Sequence, residues 1–420
     1  MEVLDEPWLF DPIARAAAIA GLAASDPPAL AWLDGGDDGR SFVGDRADVV
    51  IEDDAIAAIE RVDRMWRASP QQVWLGCISF DFAADLVRGR KPVARALPGV
   101  LLRRYPAALE LGPVVRAHPS RAAAAGLIER MQHAHAEAAD AWPLDELRAL
   151  LDAASYRQRV ATAQRHIVAG DTYQVNLAQR FAAKWRVPIG AGELAARAAA
   201  LYLKLRARAP AELGAWLRAP AGVILSNSPE TLLELRDGVA FSRPIKGTRP
   251  RGATPDQDAR ERAELRASEK DRAEHLMIVD LVRNDLGRLA LPGSVIAPAE
   301  PEELALPTVH HLVSEVQATL RPGIGLAELV RALVPGGSVT GAPKRRTLEI
   351  IESLEDAPRG IYCGAIVLLE PGGVRMSIPI RTGILDREGL HLHAGGGITI
   401  DSDPEAEREE TWAKTRAFAP

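Results

Sequence analysis

Over the first 115 positions, apolar residues come in short runs separated by turn-forming residues. WLGCISFDF (74–82) and LPGVLLRRYPAALEL (97–111) read as strands, and GGDDGR (35–40) as a hairpin or loop tip. Between 116 and 154 Ala, Glu, His and Arg dominate, and WPLDELRALLDAA closes what reads as a helical connector. Beyond it helical and strand periods alternate. SYRQRVATAQRHIVAGDTY (155–173) predicts a helix with Ser155 as N-cap and Gly170 just past its end. GVILSNSPETLLELRDGVAFSRPI (222–245) predicts two strands joined by Asp237-Gly238, a hairpin signal. Residues 256–290 read as one long charged helix that turns apolar in its second half, and 365–401 as a β-meander with PGG and REG turns. No repeat recurs at a fixed period. The pattern predicts an α+β fold: an N-terminal β-rich subdomain (1–115), a helical connector (116–154) and a core (155–420).

Composition narrows the function classes. A net charge of −6 argues against nucleic acid as the main partner, because phosphate binding needs a basic face. Two cysteines, Cys77 and Cys363, imply no disulfide framework and a reducing compartment. No uncharged apolar run approaches the ~20 residues of a membrane span, and Glu2, Asp5 and Glu6 open the chain where a secretory signal would be basic. A cytoplasmic enzyme is expected, with no membrane partner.

Several constellations then carry chemistry. In SEKDRAEHLMIVDLVRND (268–285), Asp271 and Glu274 are spaced i,i+3 on a face that continues into Ile278 and Leu281. In DSDPEAEREETWAK (401–414), Asp403 is a plausible N-cap, Pro404 the first helical residue, and Glu407, Glu410 and Lys414 share one face. Each helix alone fits either a solvated acidic turn or a carboxylate offered to Mg²⁺. Gly395, Gly396 and Gly397 in AGGGITID fit either an anion-binding nest or a bulge or turn. PGGSVTGAPKRRTLEIIESL (335–354) lacks a phosphate-loop signature, yet it runs Ser338 and Thr340 into a helix N-terminus that favours anions. His310/His311 and His391/His393 lack cysteine or acid at zinc-ligand spacing. Lys246, in FSRPIKGTRPRG (241–252), is either one more loop cation or a reactive amine. The residues describe a site for a small anionic metabolite; the reaction is not set by periodicity.

Taken together these segments resemble the chorismate-utilising enzymes, which include anthranilate synthase, aminodeoxychorismate synthase, isochorismate synthase and salicylate synthase. The matching stretches, in order, are AGDTYQVNLAQRF, SNSPETLLEL, RPIKGTRPRG, KDRAEHLMIVDLVRNDLGR, VHHLVS, PGGSVTGAPK, RGIYCGAI, IRTG and HAGGGITIDSDPEAEREET, covering roughly 155–420. The resemblance implies a large fold of antiparallel β-sheets forming a sandwich covered by helices. It implies Mg²⁺ held by Glu274 and Glu410, with Asp271 and Glu407 behind them, on the ring carboxylate of chorismate. Gly247, Thr248, Tyr362, Arg381 and Gly395–Gly397 match substrate-binding positions, with Ser338, His311 and Lys414 lining the pocket.

Within the family, anthranilate synthases typically carry PIAGT and aminodeoxychorismate synthases PIKGT. The resemblance is therefore closest to the component I aminodeoxychorismate synthases. It implies that Lys246 attacks C2 of chorismate as the C4 hydroxyl leaves, that ammonia then adds at C4, and that Glu230 is the acid/base. Isochorismate and salicylate synthases typically place a lysine base where this chain has Gln174. Ammonia is expected from a separate glutamine amidotransferase subunit, with a separate lyase completing 4-aminobenzoate, a folate precursor. AWLDGGDDGR (31–40) lacks the serine of the LLES-type motif of feedback-inhibited anthranilate synthases, so tryptophan inhibition is not expected. Three other readings remain: an anthranilate synthase component I, an aminochorismate enzyme of secondary metabolism, and a non-catalytic regulatory paralogue.

Overall fold

Alternating apolar residues along the strands build two large antiparallel sheets whose inner faces meet. The structure, a computed structural model, describes residues 1–4, 6–37, 39–138, 141–190, 192–305 and 309–420; Asp5 and Asp38, which fall in the N-terminal acidic segment and the 35–40 loop, lie outside them. The larger sheet runs in spatial order through strands 2–3, 116–118, 108–111, 41–44, 31–34, 213–219, 222–228, 382–385, 389–398, 174–184 and 341–342, with 148–149 also paired to 174–184. The second runs 316–319, 239–243, 231–236, 373–377, 365–370, 73–78, 100–105 and 49–53. A small third sheet holds 245–250, 309–313 and 302–305.

The sandwich core is explicit in its side chains. Phe42, Ala215, Leu217 and Ile224 of the first sheet pack on Val73, Leu75, Leu101, Ile366 and Leu368 of the second. The outer faces are covered by helices: Pro12–Ala24 and Leu194–Arg208 on one side, and Ile56–Ala68 and Leu326–Leu333 on the other. The α+β class expected from the pattern and the helix-covered sandwich implied by the resemblance are both observed. Each sheet draws strands from both sides of residue 115, so the N-terminal β-rich segment is woven into the same two sheets as the core.

Local departures from the sequence reading have local causes. Among the described residues of the connector, helix covers Arg121–His133 and the last two positions; most of WPLDELRALLDAA is not helical and supplies the strand Arg148–Ala149 before the next helix. That helix, Ala153–Val168, is capped by Asp152, which accepts from Ser155 N at 2.9 Å; Ser155 lies inside the first turn. Gly170 does lie past its end, at φ +78. WLGCISFDF is a strand only to Ile78; Ser79 then caps the helix Phe80–Arg88. LPGVLLRRYPAALEL becomes two strands, one in each large sheet. Asp237-Gly238 does make the hairpin, both residues at positive φ, although 222–245 holds three strands. The long helix is two, Pro255–Ala267 and Glu269–Gly287, broken at Ser268, whose hydroxyl caps the second by accepting from Asp271 N at 3.2 Å. Asp34, in the stretch without the expected serine, is buried against Arg206 Nε at 2.9 Å and the Tyr202 hydroxyl at 3.2 Å.

Candidate active site

The segment around Lys246 is an edge strand, Ile245–Pro250, paired antiparallel with Val309–Val313. Lys246 faces Leu312 and Thr248 faces His311, with the register slipping at Gly247, whose φ is +67. A Cβ at Gly247 would lie 2.9 Å from Leu265, so the close approach of the strand to the helices also requires glycine. Of the arginines around Lys246, Arg243 pairs at the surface with Glu315 at 2.6 Å, Arg249 with Asp271 at 2.9 Å, and Arg251 with Asp258 at 2.7 Å. Arg243 is thus engaged elsewhere. Lys246 is half-buried and has no ion-pair partner among the described residues, yet its charge acts on Glu230, Glu274 and Glu410 together.

Glu230 follows the strand Gly222–Ser228 and is buried. Ser338 Oγ donates to its Oε1 at 2.6 Å. Burial raises the Glu230 pKa above the ordinary carboxylate range, opposed by the Ser338 hydrogen bond and by Lys246 and Lys414. A carboxyl group disposed to keep its proton, on which the charge of a half-buried amine acts, is a suitable general acid. His311 Nδ1 lies 3.2 Å from Gly247 O and 3.0 Å from Thr248 Oγ1. A carbonyl oxygen can only accept, so Nδ1 carries the hydrogen and Nε2 is left as a buried acceptor without a partner among the described residues. Burial lowers the His311 pKa, with Arg381 among the contributing charges, which keeps the ring neutral.

Two helices bring the acids together. Asp271 and Glu274 share a face of Glu269–Gly287, as spacing predicts, and that face continues through buried Ile278. Asp271, however, is tied to Arg249. In Pro404–Thr415, Asp403 caps and Pro404 begins the helix as expected; Asp403 Oδ1 accepts from Ala406 N at 2.8 Å. Burial raises the Glu274 pKa, with Asp271 and Glu410 adding to the rise and Lys246 and Lys270 opposing it. Burial likewise raises Glu407, which accepts from Ser402 Oγ at 2.6 Å and is destabilised as an anion by Glu410. At Glu410 burial is outweighed by Lys414, 2.6 Å away, and the net direction is downward. The Lys414 ammonium also donates to Gly395 O at 2.7 Å.

The donor set is all carboxylate oxygen, partly desolvated and mutually repelling, which suits a hard divalent cation. Among the described residues no three acid, histidine or cysteine side chains form a ready metal cluster. Mg²⁺ fits this arrangement because it binds through one or two carboxylates and fills its remaining positions with water and substrate oxygens.

The glycine run makes neither a nest nor a turn. Ala178, Leu177 and Asn176 pair in unbroken register with Gly395, Gly396 and Gly397. The reason for glycine is close approach: a Cβ at Gly396 would lie 2.9 Å from Glu407 Oε2 and 3.5 Å from Glu410 Oε1, and one at Gly397 would lie 2.5 Å from Gln174 Nε2. Gln174 is buried, and neither polar atom of its amide has a partner among the described residues. Pairing of Thr382–Leu385 with Gly389–Ile398 stops at Gly383 and Leu392, and just before it Arg381 takes a left-handed backbone at φ +49. Its guanidinium has no ion pair or hydrogen bond among the described residues, and burial lowers its pKa. A desolvated, unpaired arginine is costly without an anion. Tyr362 is buried, its ring stacked on His393 at 5.6 Å.

The structure thus clusters Lys246, Glu230, His311, Ser338, Glu274, Glu407, Glu410 and Lys414. Asp271 and exposed Thr248 stand at its margin. Asn176 was missed, although it is two residues from Gln174 and so on the same face of the strand; its Oδ1 is buried without a partner among the described residues. His310 is structural, bonded to Asp258 Oδ1 at 2.8 Å, and His391 pairs with Asp386 at 3.2 Å.

Comparison with known proteins places the chain in a family. Residues 14–420 match the chorismate binding enzyme family. The aminodeoxychorismate synthase component 1 of Klebsiella aerogenes is 47% identical over 268 residues, covering 64% of this chain and 57% of that protein. The protein of the same name from Escherichia coli is 44% identical over 260 residues, 62% of this chain and 55% of that one. An anthranilate synthase component 1 of Haloarcula marismortui is 43% identical over 266 residues, 63% of this chain and 52% of that one. The chain therefore spans little more than half the length of these curated relatives. Two solved structures share the fold: the menaquinone-specific isochorismate synthase of Escherichia coli (TM-score 0.74, 20% identity, 96% of this chain and 91% of that one) and anthranilate synthase component I of Streptococcus pneumoniae (0.70, 24%, 94% and 91%). With a family match that spans nearly the whole sequence and a fold shared over more than nine-tenths of it, this chain belongs to the chorismate-binding enzymes.

Proposed function

We propose that the protein is a component I aminodeoxychorismate synthase, converting chorismate and ammonia to 4-amino-4-deoxychorismate. The observation that carries this reading is Lys246: half-buried, free of ion pairs among the described residues, and electrostatically linked to Glu230, Glu274 and Glu410. A lysine that were only a loop cation would have no reason to act at once on the buried Glu230, on the half-buried Glu274 and on Glu410. Relatives 44–47% identical bearing that name support the same branch.

In this mechanism the neutral Lys246 amine forms a bond to C2 of chorismate, the ring double bonds shift, and the C4–O bond breaks. Glu230 gives its proton to the departing hydroxyl, which leaves as water. Ammonia then bonds to C4, the double bonds return, and the C2–N bond to Lys246 breaks. Glu230 takes up the proton shed by the new amine, and the enolpyruvyl group is retained throughout. Arg381 offers its unpaired guanidinium to a substrate carboxylate, and His311 Nε2 accepts from a ring hydroxyl. Glu274 and Glu410 would hold Mg²⁺, with Glu407 behind them; the ion would neutralise the second carboxylate and fix the ring.

Ammonia would be delivered by a glutamine amidotransferase subunit, and the enzyme would act in the cytoplasm. No helix among the described residues is long and apolar enough to cross a membrane. The deciding experiment incubates the protein with chorismate, Mg²⁺ and ammonium and identifies the product by mass spectrometry. Aminodeoxychorismate is expected; anthranilate with released pyruvate would move the protein to the anthranilate synthase branch.

The close fit at Gly396 yields a second expectation. Gly396→Ala places a methyl group 2.9 Å from Glu407 Oε2, on the strand that backs Glu410. The Mg²⁺ concentration for half-maximal activity should rise about fivefold or more, a loss of ~1 kcal/mol in metal binding. An unchanged Mg²⁺ requirement would remove these carboxylates from the metal site.

A further inference from the structure

The strand Gln174–Lys184 is paired from Val175 to Lys184 with Gly389–Ile398. On its other edge it meets Gly341–Ala342 only at residues 174–175 and Arg148–Ala149 only at 181–182. Asn176 N–H finds Thr340 O at 2.8 Å, but the next backbone groups have no strand to meet among the described residues. An ion pair closes that gap. Arg359 Nη2 donates to Asn176 O at 2.7 Å, and Ala178 N–H donates to Glu355 Oε1 at 2.8 Å.

The pair itself is bidentate and buried. Arg359 Nε and Nη2 lie 2.8 and 2.6 Å from the two Glu355 oxygens, and the side chains are 1% and 7% exposed. Arg359 Nη1 also donates to Val339 O at 3.2 Å, next to Ser338, which holds Glu230. The guanidinium stacks over Phe80 at 4.5 Å and lies 5.7 Å from the Tyr362 ring. Asp81 accepts from the backbone N–H of Arg359 at 3.3 Å and of Gly360 at 2.7 Å, which anchors the base of the side chain.

We propose that Glu355 and Arg359 are a positioning pair: they stand in for a missing strand and set Asn176, Ser338 and Tyr362 relative to one another on the substrate side of the sheet. The proposal rests on the reading of the site as a chorismate site, not on which product forms. A buried ion pair adds little net stability over an apolar pair of similar volume. What an apolar pair cannot supply is directed hydrogen bonds to the strand and the Ser338 loop, together with the charge beside Tyr362. A role in packing and a role in positioning can therefore be separated.

The test is the double variant Glu355→Leu/Arg359→Met in the full chain, compared with wild type for thermal midpoint, chorismate KM, kcat with ammonium, and chorismate binding by equilibrium titration. It should stay folded with a midpoint near that of wild type, while KM rises about tenfold or more and kcat falls less. Leu217→Ala, in the inter-sheet core, serves as a control that loses thermal stability and keeps its KM. A folded double variant with wild-type KM and binding overturns the proposal. If the double variant does not fold, Arg359→Lys keeps the charge but loses the fork, and a KM rise of about fivefold or more is expected; an unchanged KM again overturns it. A wild-type product other than aminodeoxychorismate would defeat the functional reading alone, because the binding comparison stands whatever the product.

Discussion

Replacing Lys246 with alanine is expected to abolish the covalent protein–substrate adduct and to lower kcat for chorismate amination by about a thousandfold or more, ~4 kcal/mol of transition-state stabilisation. The size follows from the role. In the proposed mechanism, removing the nucleophile forces one hard substitution in place of two easier ones, and the basic side chains of the same segment, Arg243, Arg249 and Arg251, are all paired with carboxylates, as Lys414 is with Glu410. Chorismate KM should change far less, because in the proposed mechanism ground-state binding would rest mainly on Arg381 and on a metal held by the carboxylates. Quenched turnover mixtures examined by intact-protein mass spectrometry check this directly. An adduct of undiminished yield in Lys246→Ala would place the nucleophile elsewhere.

The second large effect is expected at Glu274. Burial and the nearby Asp271 and Glu410 carboxylates already raise its pKa, so as an anion it is held at a cost that a bound cation relieves. Glu274→Gln removes that charge with almost no change in shape. Activity at ordinary Mg²⁺ should fall about a hundredfold, ~2.7 kcal/mol, and excess Mg²⁺ should recover part of it. Thermal stability without metal should hold or rise, because an uncompensated, partly buried anion has been neutralised. Mg²⁺ titrations of activity and metal-free melting curves report the two effects separately. An unchanged Mg²⁺ dependence would exclude Glu274 as a ligand.

Much of the site was legible because its chemistry is local. Helix periodicity alone put Asp271 with Glu274, and Glu407 with Glu410 and Lys414, on shared faces. The Asp403-Pro404 start and the Asp237-Gly238 turn were equally legible, since caps and tight turns are set by a few neighbouring residues. Boundaries failed where a polar residue had two uses. Ser268 interrupts an otherwise helical charge pattern and becomes a cap, and Ser155 was displaced by Asp152, a carboxylate three residues earlier that accepts from the Ser155 N–H and so starts the helix sooner.

Other features depended on chain segments far apart in sequence. Gly395–Gly397 fitted a nest, a bulge or a turn by sequence; they lie in a regular strand here because Gln174, Glu407 and the neighbouring backbone fill the space their side chains would take. WPLDELRALLDAA has helix-forming residues, yet part of it is drawn into pairing with the edge of 174–184, a tertiary choice that local propensity cannot report. Asp271 was grouped with the metal carboxylates by spacing, and only the strand that carries Arg249 shows that its charge is already met. Fold class and family membership were thus legible from residue order alone, because periodicity and an ordered set of motifs carry them, and so was which acidic side chains share a helix face. The tertiary structure alone decided which charges are compensated and which are left for a ligand, because compensation depends on what long-range packing brings within a few ångströms.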